Sequence, residues 1–501
     1  MDARLRALAD LSVPSSREGA GLHSYDGEIQ DLSPAGVAAG LAALGGEKYD
    51  DPHDEAHVAA FEEAARVRFG ELELHRRNPL LHVDNLDLAG YDRAYAPEPD
   101  RRAARQRHLA RWPDAVDAAL ASLDAVPAPV AAATLGAARG LAAGLDATRS
   151  TVEATALEAH ARLVAHLQLA VDHGPESAAL GGPALARLLG AAEALDVDLA
   201  ALGRLADAER DRLRAMLEEA CGRLRPGVPP DKVVAELLAD HPHAEGVLAE
   251  ARALTAEVIA WTAEHELVPY AGGECLVGPA PESRRWAMAL MSWAAPGEPE
   301  GPSWYHVTPP DPAWPAAEQE EWLAVFSRAT LPAITLHEVA PGHFSHGRAL
   351  RRAPTAPRRQ LMSDAFIEGW AHYVEEMALE EGFRAGDPRF TIGVAIEALV
   401  RVTRLACALG LHTGELTVAA AAARFERDAY LRGPAALSEA QRGTFDPTYG
   451  RYTWGKLALQ ELREEARRTW GARFSLPRFH AAVLHLGAPP LGLVRTAVER
   501  G

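Results

Sequence analysis

Thr335-Leu336-His337-Glu338-Val339-Ala340-Pro341-Gly342-His343-Phe344-Ser345-His346 is the stretch on which the reading of this chain turns. It places two imidazoles, His337 and His343, and a carboxylate, Glu338, within seven residues. Imidazole is a common zinc ligand, and a neighbouring carboxylate can act as general base toward a water that the metal activates. The usual zinc-peptidase signature is His-Glu-x-x-His on one helix, with the histidines four apart. Here the second histidine comes six residues after the first. In an unbroken helix, at about 100° per residue, that step points the rings roughly 120° apart, and they could not share a metal. The two extra residues fit Pro341-Gly342. Proline removes an interior helical hydrogen bond and biases Ala340 away from helical angles, and glycine accepts tight conformations. The expectation is a short extruded turn at 340–342 that returns His343 to the face of His337. His346 falls near that face but is not expected to be a ligand. The competing reading is a helix end punctuated by Pro-Gly with incidental histidines, since 20 histidines in 501 residues make chance neighbours common.

A second segment favours the metal. Phe366-Ile367-Glu368-Gly369-Trp370-Ala371-His372-Tyr373-Val374-Glu375-Glu376-Met377 reads as a buried amphipathic helix. Glu368, His372 and Glu375 stand at i, i+4 and i+7, on one face. A catalytic zinc takes three protein ligands and keeps one position open. In glutamate-type zinc peptidases a helix after the histidines supplies the third. Glu368 lies between Ile367 and Gly369-Trp370, where an unpaired carboxylate would be costly. Glu375, Glu376, Glu380 and Glu381 read well as a solvated acidic face.

Together the two segments resemble the bacterial "domain of unknown function 885" family. Beyond it they resemble helical, gluzincin-type zinc metallopeptidases such as thimet oligopeptidase and angiotensin-converting enzyme. The family pattern His-Glu-x-x-Pro-Gly-His is matched from His337 to His343, and Glu-Gly-Trp-Ala-x-Tyr from Glu368 to Tyr373. A run like Arg-Leu-x-x-Asp-x-Gly-Leu-His is matched from Arg404 to His412, with Ala408 where the family often has aspartate. A late Tyr-x-x-Gly-Lys is matched from Tyr452 to Lys456. These motifs cover roughly residues 330–470. The resemblance implies a mainly α fold: a large helical, zinc-peptidase-like body with a deep cleft. It implies one zinc ion on His337, His343 and Glu368, with Glu338 as general base. It promotes Tyr452 and His412 as donors to an oxyanion, and Arg404 as a holder of a substrate carboxylate. Tyr449 competes with Tyr452 and is otherwise a substrate-binding candidate.

The rest of the chain supplies the setting. Apolar content of 48% and charged content of 24% are those of an ordinary soluble protein. A net charge of −19 argues against nucleic acid and against anionic membrane surfaces as partners. Cys221, Cys275 and Cys407 are far apart and odd in number, which suits a reduced, cytoplasmic setting rather than a disulfide framework. Met1-Asp2-Ala3-Arg4-Leu5 opens no apolar signal core, and no stretch approaches the roughly 20 apolar residues of a membrane span.

Residues 101–265 are rich in alanine, leucine, arginine and glutamate at helical spacing, with long helices expected at 150–173 and 207–223. The pattern breaks at Pro269 to Val277, and a small β element is expected near 274–307, on the approach to the site. After Glu318 a helix should run to His337. Further helices are expected at 392–409, 418–431 and 455–468. The organisation is a helical subdomain at 1–265 and a catalytic, metal-binding subdomain at 266–501, read as one integrated unit.

The function expected is a zinc-dependent hydrolase cleaving an amide bond, a metallopeptidase acting on short peptides. Two alternatives stand beside it. One is a metal-dependent amide hydrolase or tailoring enzyme acting on a small metabolite. The other is a helical binding or scaffold protein whose metal site is vestigial.

Overall fold

Strong helix formers fill the first half of the chain, and they build long helices there. Thr151–His173 starts where the Ser150 side chain accepts from the Glu153 amide. Leu199–Leu224 starts where Asp198 accepts from Ala200 and Ala201. Such side-chain oxygens satisfy amides that a helix start leaves unpaired. The computed structural model describes all 501 residues and is mainly α-helical, with one small sheet.

The sheet lies where the helical pattern fails. Its strands are β1 (Cys275–Pro279), β2 (Ala289–Ser292) and β3 (Ser303–Val307), in the order β1-β3-β2. β3 runs parallel to β1 and antiparallel to β2. Along β3, buried Ser303, Tyr305 and Val307 alternate with less buried Trp304 and His306, the two-residue period of a strand covered on one face. β2 is an edge strand.

Several helices run to other bounds than expected, among them Leu199–Leu224 and Pro388–Thr413, and two of the differences bear on the site. The approach to His337 is not one helix from Glu318. The chain forms Ala316–Leu323, a 3-10 turn at Ala324–Phe326, and then Leu331–Glu338. Ser327 and Thr330 cause the break, because their hydroxyls lie 2.8 Å apart and Ser327 Oγ also accepts from the Thr330 amide. Short hydroxyl side chains thus compete with the helix for its own backbone groups. The helix expected from residue 455 begins earlier, at Arg451, and runs to Trp470. Tyr452 therefore projects from its first turn rather than from a preceding loop.

The largest hydrophobic cluster joins both sides of residue 265. It combines Leu213 and Leu217 of helix Leu199–Leu224 with Leu336, Phe344 and Leu399. Burial of side chains this size stabilises by about 1.5–3 kcal/mol each. A second cluster packs helix Asp364–Glu380 against helix Arg451–Trp470 through Phe366, Trp370, Leu459 and Leu462. These two helices touch main chain to main chain. A Cβ on Gly369 would lie 2.5 Å from Gly455 Cα, and one on Gly455 would lie 2.0 Å from the Ala365 oxygen. Only glycine permits that approach. The three cysteines are free, and no helix is long and apolar enough to cross a membrane.

Candidate metal centre

The break in the histidine helix has a defined geometry. Helix Leu331–Glu338 ends at Val339, and a new helix, His343–Leu350, follows Gly342. The Gly342 amide donates to the Leu336 carbonyl at 3.1 Å, and the Ser345 amide to the Val339 carbonyl at 3.3 Å. Each bond reaches back six residues instead of four, so the extra pair is extruded. A Cβ on Gly342 would stand 1.9 Å from the His337 oxygen, which fixes glycine at this position. Trp370 donates from its indole nitrogen to the Pro341 carbonyl at 3.0 Å and ties the loop to helix Asp364–Glu380.

The extrusion brings His343 beside His337, with ring centroids 4.7 Å apart and planes at 87°. Glu368 comes between them. Its Oε2 lies 3.3 Å from Nε2 of His337 and 3.3 Å from Nε2 of His343. The three ligand atoms lie within 4.8 Å of one another. Glu368 Oε2 is buried and has no hydrogen-bond partner. Tetrahedral zinc, with nitrogen and oxygen ligands at about 2.0–2.2 Å, sets neighbouring ligand atoms about 3.3–3.6 Å apart. The residues present fit such an ion in spacing and in donor type.

Glu375 holds the first histidine from behind. Its Oε1 accepts from Nδ1 of His337 at 2.7 Å and lies 3.2 Å from an Arg401 nitrogen. It is fully buried, which corrects its assignment to a solvated acidic face. A carboxylate on the far nitrogen fixes the tautomer that offers Nε2 to a cation. Arg401 in turn donates to the carbonyl and carboxylate of Glu397 at 2.9 and 2.8 Å.

The electrostatics follow from these contacts. Burial alone would lower the His337 pKa, and Arg401 would lower it further. Glu368 and Glu375 outweigh both and push it up to about 9. Burial would raise Glu368, but the two imidazoles hold its carboxyl well below the usual range. Glu338 goes the other way: burial raises its pKa against the pull of His343 and His337. Its Oε2 is buried without a partner.

Glu338 faces a cavity of about 230 Å³ that also exposes His337, His343, Glu368, Tyr452 and Arg404. Met288 to Met291 of β2 and its approach form part of an apolar stretch of the cavity wall together with Phe326. The Tyr452 ring stacks at 6.2 Å from the His337 ring. Its hydroxyl accepts from Arg442 Nη2 at 3.0 Å. Burial raises the Tyr452 pKa, so the phenol keeps its proton at neutral pH.

Other residues singled out from the sequence stand elsewhere or are engaged. Arg404 reaches the cavity, but Glu439 holds it by two bonds of 2.7 Å. That pairing competes with the role expected for it as holder of a substrate carboxylate. Tyr449 donates to the Glu439 carbonyl at 2.6 Å and is not among the cavity-lining residues. His412 pairs through Nε2 with the Gly443 carbonyl at 2.8 Å, and burial pushes its pKa down to about 4. It too is absent from the cavity wall, so neither Tyr449 nor His412 lines the cavity. His346 pairs with the Gly487 carbonyl at 3.2 Å, away from the three cage atoms. Lys456 is fully buried between Glu209 and Glu376 and joins the N-terminal helices to the site helices.

Glu375 and Arg442 are the site residues the sequence reading missed. Glu375 carried a signal, its place seven residues beyond Glu368 on the same helical face. Arg442 carried none, since helix Gly433–Phe445 lies outside every motif. Glu375→Gln keeps an acceptor for His337 but removes the charge. It should weaken divalent-cation affinity by about tenfold, the low end of the 10–100-fold seen for such supporting groups. Competition with a chelator measures this, and unchanged affinity would remove Glu375 from the account.

Two solved structures share the fold. One is described as a putative lipoprotein of unknown function from Shewanella oneidensis, with TM-score 0.76 and 19% identity over 98% of this chain and 96% of that one. The other is described as the putative lipoprotein from Colwellia psychrerythraea, with TM-score 0.75 and 16% identity over 99% and 97%. No curated protein matches the chain. A family model matches residues 14–498, nearly the whole length, and the chain belongs to that family, described as bacterial protein of unknown function (DUF885).

Proposed function

We propose that this protein is a zinc-dependent hydrolase that cleaves amide bonds in short peptides, on the plan of gluzincin-type peptidases. One observation carries the reading: Glu368 Oε2 stands 3.3 Å from both imidazole nitrogens, beside the buried and unpaired Glu338 Oε2. Two histidines and a glutamate form a donor set that catalytic zinc uses with one position left open. Zinc bound there supplies Lewis acidity, polarising a carbonyl and making water acidic enough to ionise near pH 7.

The chain's own groups do the rest. Glu338 Oε2 takes the proton of the attacking water and passes it to the leaving amine nitrogen. Its raised pKa suits a group that must hold the proton between those steps. Tyr452 accepts from Arg442, so its own proton is free to donate to the oxygen that gains charge in the transition state. β2, an edge strand beside the cavity, offers an extended substrate backbone a strand to add to. A cavity of about 230 Å³ takes a short segment and excludes a folded protein.

Elemental analysis combined with a peptide-library digest read by mass spectrometry tests the reading. One zinc per chain with peptide cleavage supports it. Zinc with cleavage of acylated amines alone moves the substrate to a small metabolite. No retained metal leaves a helical scaffold.

Tyr452→Phe should fold, keep zinc and lose about 10²–10³-fold in kcat, as for removal of one oxyanion donor. KM should change little, because the bond forms only in the transition state. A silent Tyr452→Phe would reduce this residue to packing.

A further inference from the structure

Three arginines face the cavity: Arg401, Arg404 and Arg442. Two of them are engaged. Arg401 is bound to Glu397 and Glu375, and Arg404 is held by the two-pronged contact with Glu439. Arg442 is not matched in this way. It gives Nη2 to the Tyr452 hydroxyl at 3.0 Å. Its nearest carboxylate, Asp446, lies 3.5 Å from Nε, and Arg451 already holds that carboxylate by bonds of 2.6 and 2.8 Å. Nε of Arg442 is buried with no hydrogen-bond partner, in a residue only 7% exposed. A guanidinium carries five donors and no acceptor. Buried with so few acceptors, it has donors left over for an anion in the cavity.

The aromatic surroundings hold it in place. The guanidinium carbon lies 5.1 Å from the Trp286 ring centroid and 5.1 Å from that of Tyr449. Stacking of this kind orients the planar fork before a ligand arrives. A planar fork matches a carboxylate.

We infer that Arg442 binds a free carboxylate of the substrate, making the substrate class short peptides or N-acyl amino acids cleaved close to their carboxyl end. The inference rests on the hydrolase reading for the word "cleaved" and stands on geometry for the anion. Tyr452 spans the gap, its ring 6.2 Å from the His337 ring and its hydroxyl 3.0 Å from Arg442. At about 3.3–3.6 Å per extended residue, that path confines the carboxylate to the first two or three residues beyond the scissile carbonyl. The wall of Met288, Leu290, Met291 and Phe326 takes an apolar side chain between them.

The probe is a matched set of N-acetylated di- and tripeptides with apolar side chains, each made as the free acid and as the carboxamide. Binding to the full-length, zinc-loaded Glu338→Gln protein is measured by calorimetry, and turnover is measured with the unaltered protein. Free acids should bind about 10–100-fold tighter than their amides, the range for a lost charged hydrogen bond. Arg442→Met should erase that preference by weakening the acids alone, and Arg442→Lys should restore part of it. Equal binding of acids and amides by the protein without an Arg442 change overturns the inference, and so does failure of either to bind. So does a preference that survives Arg442→Met in a folded protein. Preferential acid binding without turnover of either set would leave the anion site standing and remove the hydrolase reading alone.

Discussion

Glu338→Gln is expected to retain one zinc per chain and to lose about 10⁴-fold or more in kcat. Glu338 adjoins a cage histidine in sequence but contributes none of the three cage atoms. Glutamine fills the same buried volume, so the cage should keep its shape. What the amide lacks is the ability to take and return a proton. General acid–base help is worth about 10²–10⁴-fold. In the proposed mechanism one carboxylate would serve both the incoming water and the departing amine, which puts the expected loss at the top of that range or beyond. Metal analysis and single-turnover kinetics on the same preparation read the two properties together. Near-normal turnover would show that another group activates the water.

His343→Ala should strip the ion and abolish turnover, while His346→Ala should keep most of both. His343 contributes one of only three cage atoms. Its loss should exceed the 10–100-fold effect of losing an outer supporting group. His346 lies three residues on but pairs with the Gly487 carbonyl at 3.2 Å. Removing it unpairs a backbone oxygen and leaves the cage intact. If the metal survived His343→Ala and left on His346→Ala, the extruded turn would have been placed on the wrong histidine.

Much of this arrangement was legible in the sequence because it is local. Pro341-Gly342 between two histidines announces a break, and the backbone there spans six residues per hydrogen bond. Glycines, prolines and tryptophans between 269 and 315 announce the loss of helix, and the sheet lies within that interval. What the sequence left unread is contact at long range. Glu439 engages Arg404 from 35 positions away, and no local pattern records it. Glu375 sat in an acidic run, and nothing nearby showed that Arg401 and His337 would cover it. The Ser327–Thr330 hydroxyl pair, which ends one helix early, was too small a signal against strong helical periodicity.

The contact of Gly369 with Gly455 bears on how this protein can change over generations. Glu368 precedes one glycine by a single position, and Tyr452 precedes the other by three. The interval between cage and phenol is thus gauged by two main chains pressed together. Exchanging Leu459, Leu462 or Phe366 for another apolar residue alters the filling around that contact without altering its gauge. A methyl group at either glycine would alter the gauge at once. The surrounding core can change its filling within the limits of its volume, while the spacing of Glu368 from Tyr452 is set by main chain and is insulated from that drift.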